Sequence, residues 1–250
     1  MLAGMAGRTF VTGDIHGDLE ALHRIEAQLP PLDSGDTLVF LGDYVDRGPS
    51  SAQVVAHVRS LPRRTPARVV ALRGNHEDAW LTAVEEGWPE FVLPASHGCV
   101  EAMESYLGKV ASPYTAPFMS LLMRGAFFPR DVLAWFRSLP FHYEDEHAIY
   151  VHAGLVSDKH GGFLHPSETE KKRALLWLRD HRFFRDYRGK RVVFGHTVTD
   201  ALPVELSSYT PEDPKDMWAG PCTIGLDTGA GKGGFLTTLE LPGMRVYESR

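Results

Sequence analysis

The sequence predicts an α/β fold with a helical insertion, on three observations. Three short apolar runs, Arg8–Thr12, Thr37–Leu41 and Arg68–Leu72, each lead into a polar loop containing glycine. Such a run, stopped by glycine, reads as a buried strand that opens into a loop. Helix-patterned segments separate the runs at intervals of about 30 residues, the size of a βαβ unit. Between Glu77 and about Leu139 the pattern breaks into short aromatic stretches punctuated by proline.

Taken in order, Thr9-Phe10-Val11-Thr12 is β-prone and runs into Gly13-Asp14-Ile15-His16-Gly17. Asp18 is placed to cap a helix whose Leu19, Leu22, Ile25 and Leu29 share a face, and Pro30-Pro31 stops it. The second strand delivers Gly42-Asp43-Tyr44-Val45-Asp46-Arg47-Gly48. Ser50 and Gln53 then form a capping-box pattern ahead of Val54, Val55, Val58 and Leu61. The third strand ends in Arg73-Gly74-Asn75-His76-Glu77. Within the insertion, about residues 78–140, helices are expected over Val100–Leu107, Phe118–Met123 and Asp131–Leu139, among Pro89, Pro94, Pro113, Pro117 and Pro129. Its aromatic residues read as packing rather than as a substrate groove.

The chain returns to strand at Ala148–Val151, which ends in His152-Ala153-Gly154. Ser167 and Glu170 offer a second capping box before Leu175, Leu176 and Leu178. Arg191–Phe194 reads as a strand ending in Gly195-His196-Thr197. Cys222–Leu226, Phe235–Leu241 and Arg245–Glu248 read as antiparallel strands joined by glycine-rich turns. No linker interrupts the composition, so one domain over 1–250 is expected.

The balance of 26 basic against 32 acidic residues, net −6, argues against broad nucleic-acid or anionic-membrane binding. Any attraction for an anion is then local. Cys99 and Cys222 share no ligand spacing, and no apolar run approaches membrane length. The Met1–Arg8 leader lacks a signal-peptide core, so a cytoplasmic location is expected.

Five strand ends deliver chemistry to what is expected to be one sheet edge: Asp14 with His16, Asp43 with Asp46 and Arg47, Asn75 with His76, His152, and His196. Singly, a Gly-Asp after a strand is usually a turn and a Gly-His a hydrogen-bonded structural histidine. Their repetition at strand ends outweighs that reading. Oxygen and imidazole donors without thiolate suit Mn²⁺, Fe or Zn²⁺. Three Asp/Asn and three His residues exceed one open catalytic ion, and two ions about 3.5–4 Å apart accommodate them. Asp43, on the middle of the three N-terminal strands, is the natural bridge.

Gly13-Asp14-Ile15-His16-Gly17, Gly42-Asp43-Tyr44-Val45-Asp46-Arg47-Gly48 and Gly74-Asn75-His76-Glu77 resemble the three signature motifs of PPP-type serine/threonine protein phosphatases, within the calcineurin-like metallophosphoesterases. His152-Ala153-Gly154 and Gly195-His196-Thr197 are similar to the later histidine motifs. The resemblance implies two β-sheets packed as a sandwich flanked by helices. It implies that Asp14 and His16 hold a first metal ion, that Asp43 bridges, and that Asn75, His152 and His196 hold a second, with manganese the expected ion. Arg47 would bind phosphate oxygens. Leu175-Leu176-Trp177-Leu178-Arg179-Asp180 looks like the bacterial version of the segment that carries a second phosphate arginine, which nominates Arg179, with Arg182, Arg185 or Arg188 as substitutes.

The implied reaction is hydrolysis of phosphoserine or phosphothreonine in a protein or peptide by a metal-bridging hydroxide, His76 protonating the alkoxide and Asp46 holding His76. His152-Ala153-Gly154 carries alanine where eukaryotic members have glycine, and Gly225-Leu226-Asp227-Thr228-Gly229-Ala230 replaces a eukaryotic C-terminal segment. Regulatory subunits are therefore not implied. The competing readings are a dinucleoside polyphosphate hydrolase of the same superfamily, against which Asp46 and Glu77 speak, and a metal-bound docking scaffold. A scaffold has no need of Asp46, Arg47 and His76. His160 and His165 fall outside every motif and receive no role.

Overall fold

Along each N-terminal strand, successive side chains enter different cores, as a strand buried on both faces requires. Phe10, Leu38 and Phe40 join one apolar cluster, while Val11, Val39 and Leu41 join another. That is why these strands read as unbroken apolar runs. The computed structural model describes residues 7–109, 115–209 and 213–250. Pro113 and the Met1–Ala6 part of the leader lie outside the described residues.

Strands β1 (Thr9–Thr12), β2 (Thr37–Phe40) and β3 (Arg68–Ala71) pair in parallel, with Thr12, Phe40 and Ala71 level across the sheet. Strands β9 (Thr237–Leu241) and β10 (Arg245–Glu248) extend this sheet antiparallel beyond β1, giving the order β10-β9-β1-β2-β3. The second sheet runs β4 (His142–Glu144), β5 (Ile149–Val151), β6 (Val192–Phe194), β8 (Thr223–Gly225) and β7 (Trp218–Ala219), with β5, β6 and β8 parallel. The tail thus differs from the expected antiparallel set. β8 lies parallel to β6 in the second sheet, and of the three strands expected in the tail only β9 and β10 pair antiparallel with each other. Gly225 stands level with Phe194, so the β8 loop leaves on the same edge as the β6 loop. The two sheets enclose Val11, Val39, Leu72, Tyr150, Val193 and Ile224.

Helix α1 (Leu19–Glu26) starts where Asp18 Oδ1 accepts the Ala21 amide at 2.9 Å, as expected. It stops at Glu26, and Leu29 still packs against the same core from beyond its end. Helix α2 (Ser51–Ser60) follows Ser50, but Ser50 makes no capping bond, and the expected box is absent. Five helices lie between β3 and β4 among the described residues: α3 (Asn75–Glu85), α4 (Pro89–Val92), α5 (Cys99–Leu107), α6 (Ala116–Met123) and α7 (Arg130–Ser138). The last three match the expected segments within two residues. Trp80, Phe91, Phe127 and Phe128 are buried together, so these aromatics pack, and Trp88, Tyr106 and Trp135 lie against the same cluster.

Later in the chain, the cap at the second expected box is built by His165 and Glu168 on a single 3₁₀ turn. The helix beyond it, α8 (Ala174–Trp177), is only one turn long and excludes Leu178. Helix α9 (His181–Asp186) packs Phe183 and Phe184 on the outer face of β5 and β6. Among the described residues no helix is long and apolar enough to cross a membrane.

Arg8, just before β1, donates from Nε and Nη2 to Asp36 Oδ1 (2.9 Å) and Oδ2 (2.6 Å), and the Asp33 amide adds a third bond at 2.9 Å. Burial pushes the Asp36 carboxyl up, but the Arg8 bonds and charge outweigh burial and hold it below the usual carboxylate range. A lowered folded pKa means that the contribution is present above about pH 4 and lost as pH falls below it. Asp36→Asn is expected to destabilise the fold by about 1–2 kcal/mol at neutral pH, discounted for the exposed part of Arg8. Melting curves between about pH 7 and pH 3 check this: the gap between wild type and variant should close on acidification.

Candidate active site

The loops after β1, β2, β3, β5, β6 and β8 meet where the two sheets abut, and the backbone there is unusual. Among the described residues, six that are not glycine have positive φ, and five are His16 (47°), Asp43 (53°), Asp46 (73°), Arg47 (66°) and His196 (64°). Left-handed conformations disfavour residues with a Cβ and cluster at functional sites. Here they turn each side chain into the seam directly after its strand. Glu77, fully buried, holds two of these loops together. Its Oε2 accepts the amides of Asp43 (3.0 Å) and Gly74 (2.9 Å), and its Oε1 accepts that of Tyr44 (2.8 Å).

Close approach explains the glycines of two motifs. A Cβ on Gly74 would lie 2.1 Å from Asp43 Oδ1, and one on Gly195 would lie 2.0 Å from Asp14 Oδ1. Both carboxylates therefore rest on bare backbone. Asp14 accepts the His196 amide at 3.0 and 3.2 Å, and Asp43 Oδ1 accepts the His76 amide, in the first turn of α3, at 3.0 Å. An anion at a helix N-terminus gains from the unpaired amides there.

The imidazoles carry the decisive geometry. His16 Nδ1 is 3.0 Å from the Val45 carbonyl, so Nδ1 donates and Nε2 keeps a lone pair. That buried Nε2 has no hydrogen-bond partner, and it faces Asp43 Oδ2 at 3.4 Å and Asp14 Oδ2 at 4.0 Å. His152 donates from Nδ1 to the Leu41 carbonyl (2.9 Å) and turns Nε2 on Asn75 Oδ1 (2.8 Å) and Asp43 Oδ1 (3.5 Å). His196 Nδ1 also meets Asn75 Oδ1 at 2.7 Å, and its buried Nε2 has no partner. Burial, with Arg47 nearby, holds His16 well below its ordinary pKa; burial, with His152 nearby, does the same for His196. The neutral His16 imidazole thus points a lone pair at carboxylate oxygens inside a buried site, and a cation between them resolves the conflict.

The acids tell the same story. Burial pushes the Asp14 carboxyl up to about 7, and burial together with the Asp43 charge pushes Glu77 up to about 8. Burial acts on Asp43 likewise, but His152, His76 and His16 surround it and bring it below the usual range. Two groups have ligand atoms within 4.8 Å of one another, Asp14–Asp43–His152 and His16–Asp43–His76, and Asp43 belongs to both. The donor set fits oxygen- and nitrogen-seeking divalent ions.

Beside this seam, His76 Nδ1 meets Asp46 Oδ2 at 2.6 Å, and the far nitrogen, Nε2, lies 3.4 Å from Arg47 Nη2. Arg47 Nε and Nη1 are buried and have no hydrogen-bond partner. Arg47 lines a cavity of about 650 Å³ that Arg179, His181, His196, Lys232 and Ser96 also line. Arg179 therefore reaches the same space as Arg47. Its substitutes are engaged elsewhere: Arg182 with Ser157 and Asp180, Arg185 with Asp186, Arg188 with nearby carbonyls. The structure thus brings Asp14, His16, Asp43, Asp46, Arg47, Asn75, His76, His152 and His196 to one seam, and Arg179 to the cavity beside it.

It also adds residues that sequence reasoning left without a role. Trp80 Nε1 donates to both Asp46 oxygens (2.9 and 3.0 Å), and Ser51 Oγ accepts the Asp46 amide (2.9 Å). Trp80 stands four residues after His76 on one helix face, which is the signal that could have found it. Asp227 is fully buried, with Lys232 Nζ 3.0 Å from its Oδ2. Asp78 accepts from Arg173 Nε (2.8 Å) and Trp177 Nε1 (3.1 Å), which ties α8 to α3 two residues before Arg179. The Gly98 carbonyl accepts the Arg47 amide at 3.3 Å, and the Phe91 ring lies 5.2 Å from that of His76.

The family model for calcineurin-like phosphoesterases matches residues 7–204. The chain belongs to that family. Phosphoesterases of this family imply divalent metal ions, and the two Asp/His groups are the candidate ligands here. The serine/threonine-protein phosphatase 6 catalytic subunit of Drosophila melanogaster is 43% identical over 77 residues, which is 30% of this chain and 24% of that relative. The serine/threonine-protein phosphatase SIT4 of Candida albicans is likewise 43% identical over 77 residues, 30% of this chain and 24% of the relative. The matches thus span about a quarter of the curated relatives' length, and they bear out the resemblance to PPP-type phosphatases. A solved structure assigned as a diadenosine tetraphosphatase superposes with TM-score 0.57 at 20% identity, covering 99% of this chain and 95% of the other. At that identity the likeness concerns the two-sheet fold alone.

Glu77→Ala removes the acceptor of three buried amides. It is expected to lower stability by about 2–4 kcal/mol, with Glu77→Gln intermediate because one oxygen remains; thermal melts of the three proteins check the order.

Proposed function

We propose that the chain is a single-domain, metal-dependent phosphoprotein phosphatase that hydrolyses phosphoserine and phosphothreonine monoesters. The observation that carries this reading is Arg47: a guanidinium with two buried, unpartnered nitrogens, beside His76 and opening on the cavity that Arg179 shares. A planar fork of that kind suits the oxygens of a phosphoryl group. Asp14, His16, Asp43, Asn75, His152 and His196 would hold two divalent ions, with Asp43 common to both. Those ions, when bound, supply the Lewis acidity that activates water and neutralises phosphoryl oxygens.

The remaining steps belong to the protein's own groups. Arg47 and Arg179 orient the phosphoryl oxygens and spread the charge that builds on them. As the P–O bond breaks, its electron pair goes to the serine or threonine oxygen, which takes the proton that His76 holds at Nε2. Asp46 fixes the imidazole through Nδ1, and Trp80 and Ser51 fix Asp46 in turn. Phe91 of α4 and His97 stand edge-on to the His76 ring and would limit access of water from that side.

His76→Asn is expected to keep both metal ions and lose roughly 10²–10⁴ in turnover of phosphoserine peptides. Asp43→Asn is expected to lose metal instead; elemental analysis alongside activity separates the two. A chromogenic aryl phosphate with added Mn²⁺ tests for any hydrolysis, and inactivity there would leave only the docking-scaffold reading. Phosphopeptides are then compared with diadenosine tetraphosphate. Higher kcat/KM on phosphopeptides is expected, and the reverse would move the protein to the dinucleoside polyphosphate hydrolases.

A further inference from the structure

A second group of metal-ligating side chains stands at the opposite edge of the first sheet. Helix α1 begins three residues after His16, and α2 begins at Ser51, whose hydroxyl accepts the Asp46 amide. As crossovers between parallel strands, both helices run away from the catalytic edge. Their last turns therefore lie side by side at the far end, with His57 about 9 Å along α2 from Ser51. There His23 and Glu26 of α1 converge with His57 of α2, and one ligand atom from each lies within 4.8 Å of the other two. His57 Nε2 is 2.7 Å from Glu26 Oε1, and the His57 side chain is only 10% exposed. The His23 ring sits edge-on to that of His57, with centroids 5.1 Å apart. His23 and Glu26 are three residues apart, so both project from the face of α1 that meets α2.

We propose that His23, Glu26 and His57 form a separate divalent-metal site that takes Zn²⁺ or a similar borderline ion through two imidazole nitrogens and one carboxylate oxygen. Two imidazoles and a carboxylate are a ligand set that such ions accept, with the open positions left to water. Two roughly parallel helix C-termini add the negative ends of their dipoles to the same place, which favours a cation there. The competing cation is Arg64, whose Nη1 lies 3.5 Å from His57 Nδ1 on the exposed side. On metal binding the ion takes the place of the hydrogen between His57 and Glu26. That hydrogen moves to Nδ1, and the Arg64 side chain swings off into solvent. The site would pin α1 to α2, the two crossovers that follow the Asp14–His16 and Asp43–Arg47 loops. Its role is thus to hold the scaffold, and it is independent of the phosphatase reading.

The full-length protein, with Mn²⁺ present, is equilibrated with Zn²⁺, passed through gel filtration and analysed for total metal. His23→Ala changes an exposed side chain, and Glu26→Gln keeps size and shape, so neither threatens folding. Each variant is expected to carry one metal equivalent fewer than wild type and to lose a Zn²⁺-dependent rise in Tm. Mn²⁺-supported turnover of an aryl phosphate should stay within about twofold of wild type, the margin expected of a site remote from the chemistry. Equal metal content and an equal Tm rise in all three proteins would overturn the proposal. Loss of turnover in step with the lost equivalent would also overturn it, because the ion would then belong to the catalytic centre.

Discussion

A buried carboxylate needs a compensating positive charge, and this structure buries several around one point. Asp14, Asp43, Asp46, Glu77 and Asp227 are each at most 2% exposed and crowd the seam where two sheets meet. Arg47 and Lys232 are among the cationic side chains beside them, and Lys232 is already paired with Asp227. Burial is the largest cause that pushes Asp14 up to about 7. Much of the local architecture reads as a response to that constraint. Backbone amides of His76 and His196 are aimed at Asp43 and Asp14, and the imidazoles of His16, His152 and His196 present nitrogen toward the same space. The family to which the chain belongs answers the remaining imbalance with divalent metal.

The two sheets contribute unequally to this arrangement. The first supplies Asp14, Asp43, Asp46 and Glu77 with His16 and His76, and the second supplies Asp227 after β8 and two imidazoles from the ends of β5 and β6. Contacts such as His152 on the Leu41 carbonyl and Asn75, and His196 on Asp14, join the halves. The apolar layer of Val11, Val39, Tyr150 and Val193 sets the separation at which those contacts can form. The helices between β3 and β4 act from a third side, through Gly98 on the Arg47 amide and Phe91 on the His76 ring. Arg179 arrives differently, on a single turn of helix tied back to α3 through Asp78. The two arginines that line the cavity are thus carried on connections, while Asp14 and Asp43 follow their strands within three residues.

How much of this could be read beforehand depends on the range of the interaction. Runs such as Leu38–Leu41, ending in glycine, were legible because burial on both faces and an abrupt turn leave local marks. So were Asp14, His16, Asp43, Asp46, Arg47, Asn75, His76, His152 and His196, since each sits a fixed few positions after a strand. The two capping boxes misled. Ser51, not Ser50, makes the side-chain bond at α2, and His165 takes the place expected of Ser167. Tertiary demands at a loop outweigh about 1 kcal/mol of capping preference.

The sequence by itself determined the α/β class, the edge at which the polar loops emerge, and the kinds of donor placed there, because these follow from periodicity and residue chemistry within short windows. Only the tertiary structure decided that β8 joins the second sheet in parallel, that Glu77 fastens three amides, that Trp80 steadies Asp46, and that Arg179 rather than Arg182 shares a cavity with Arg47. Those facts depend on pairings between segments far apart in the chain. Their energies are set by burial and by angles of a few degrees, which no local pattern encodes.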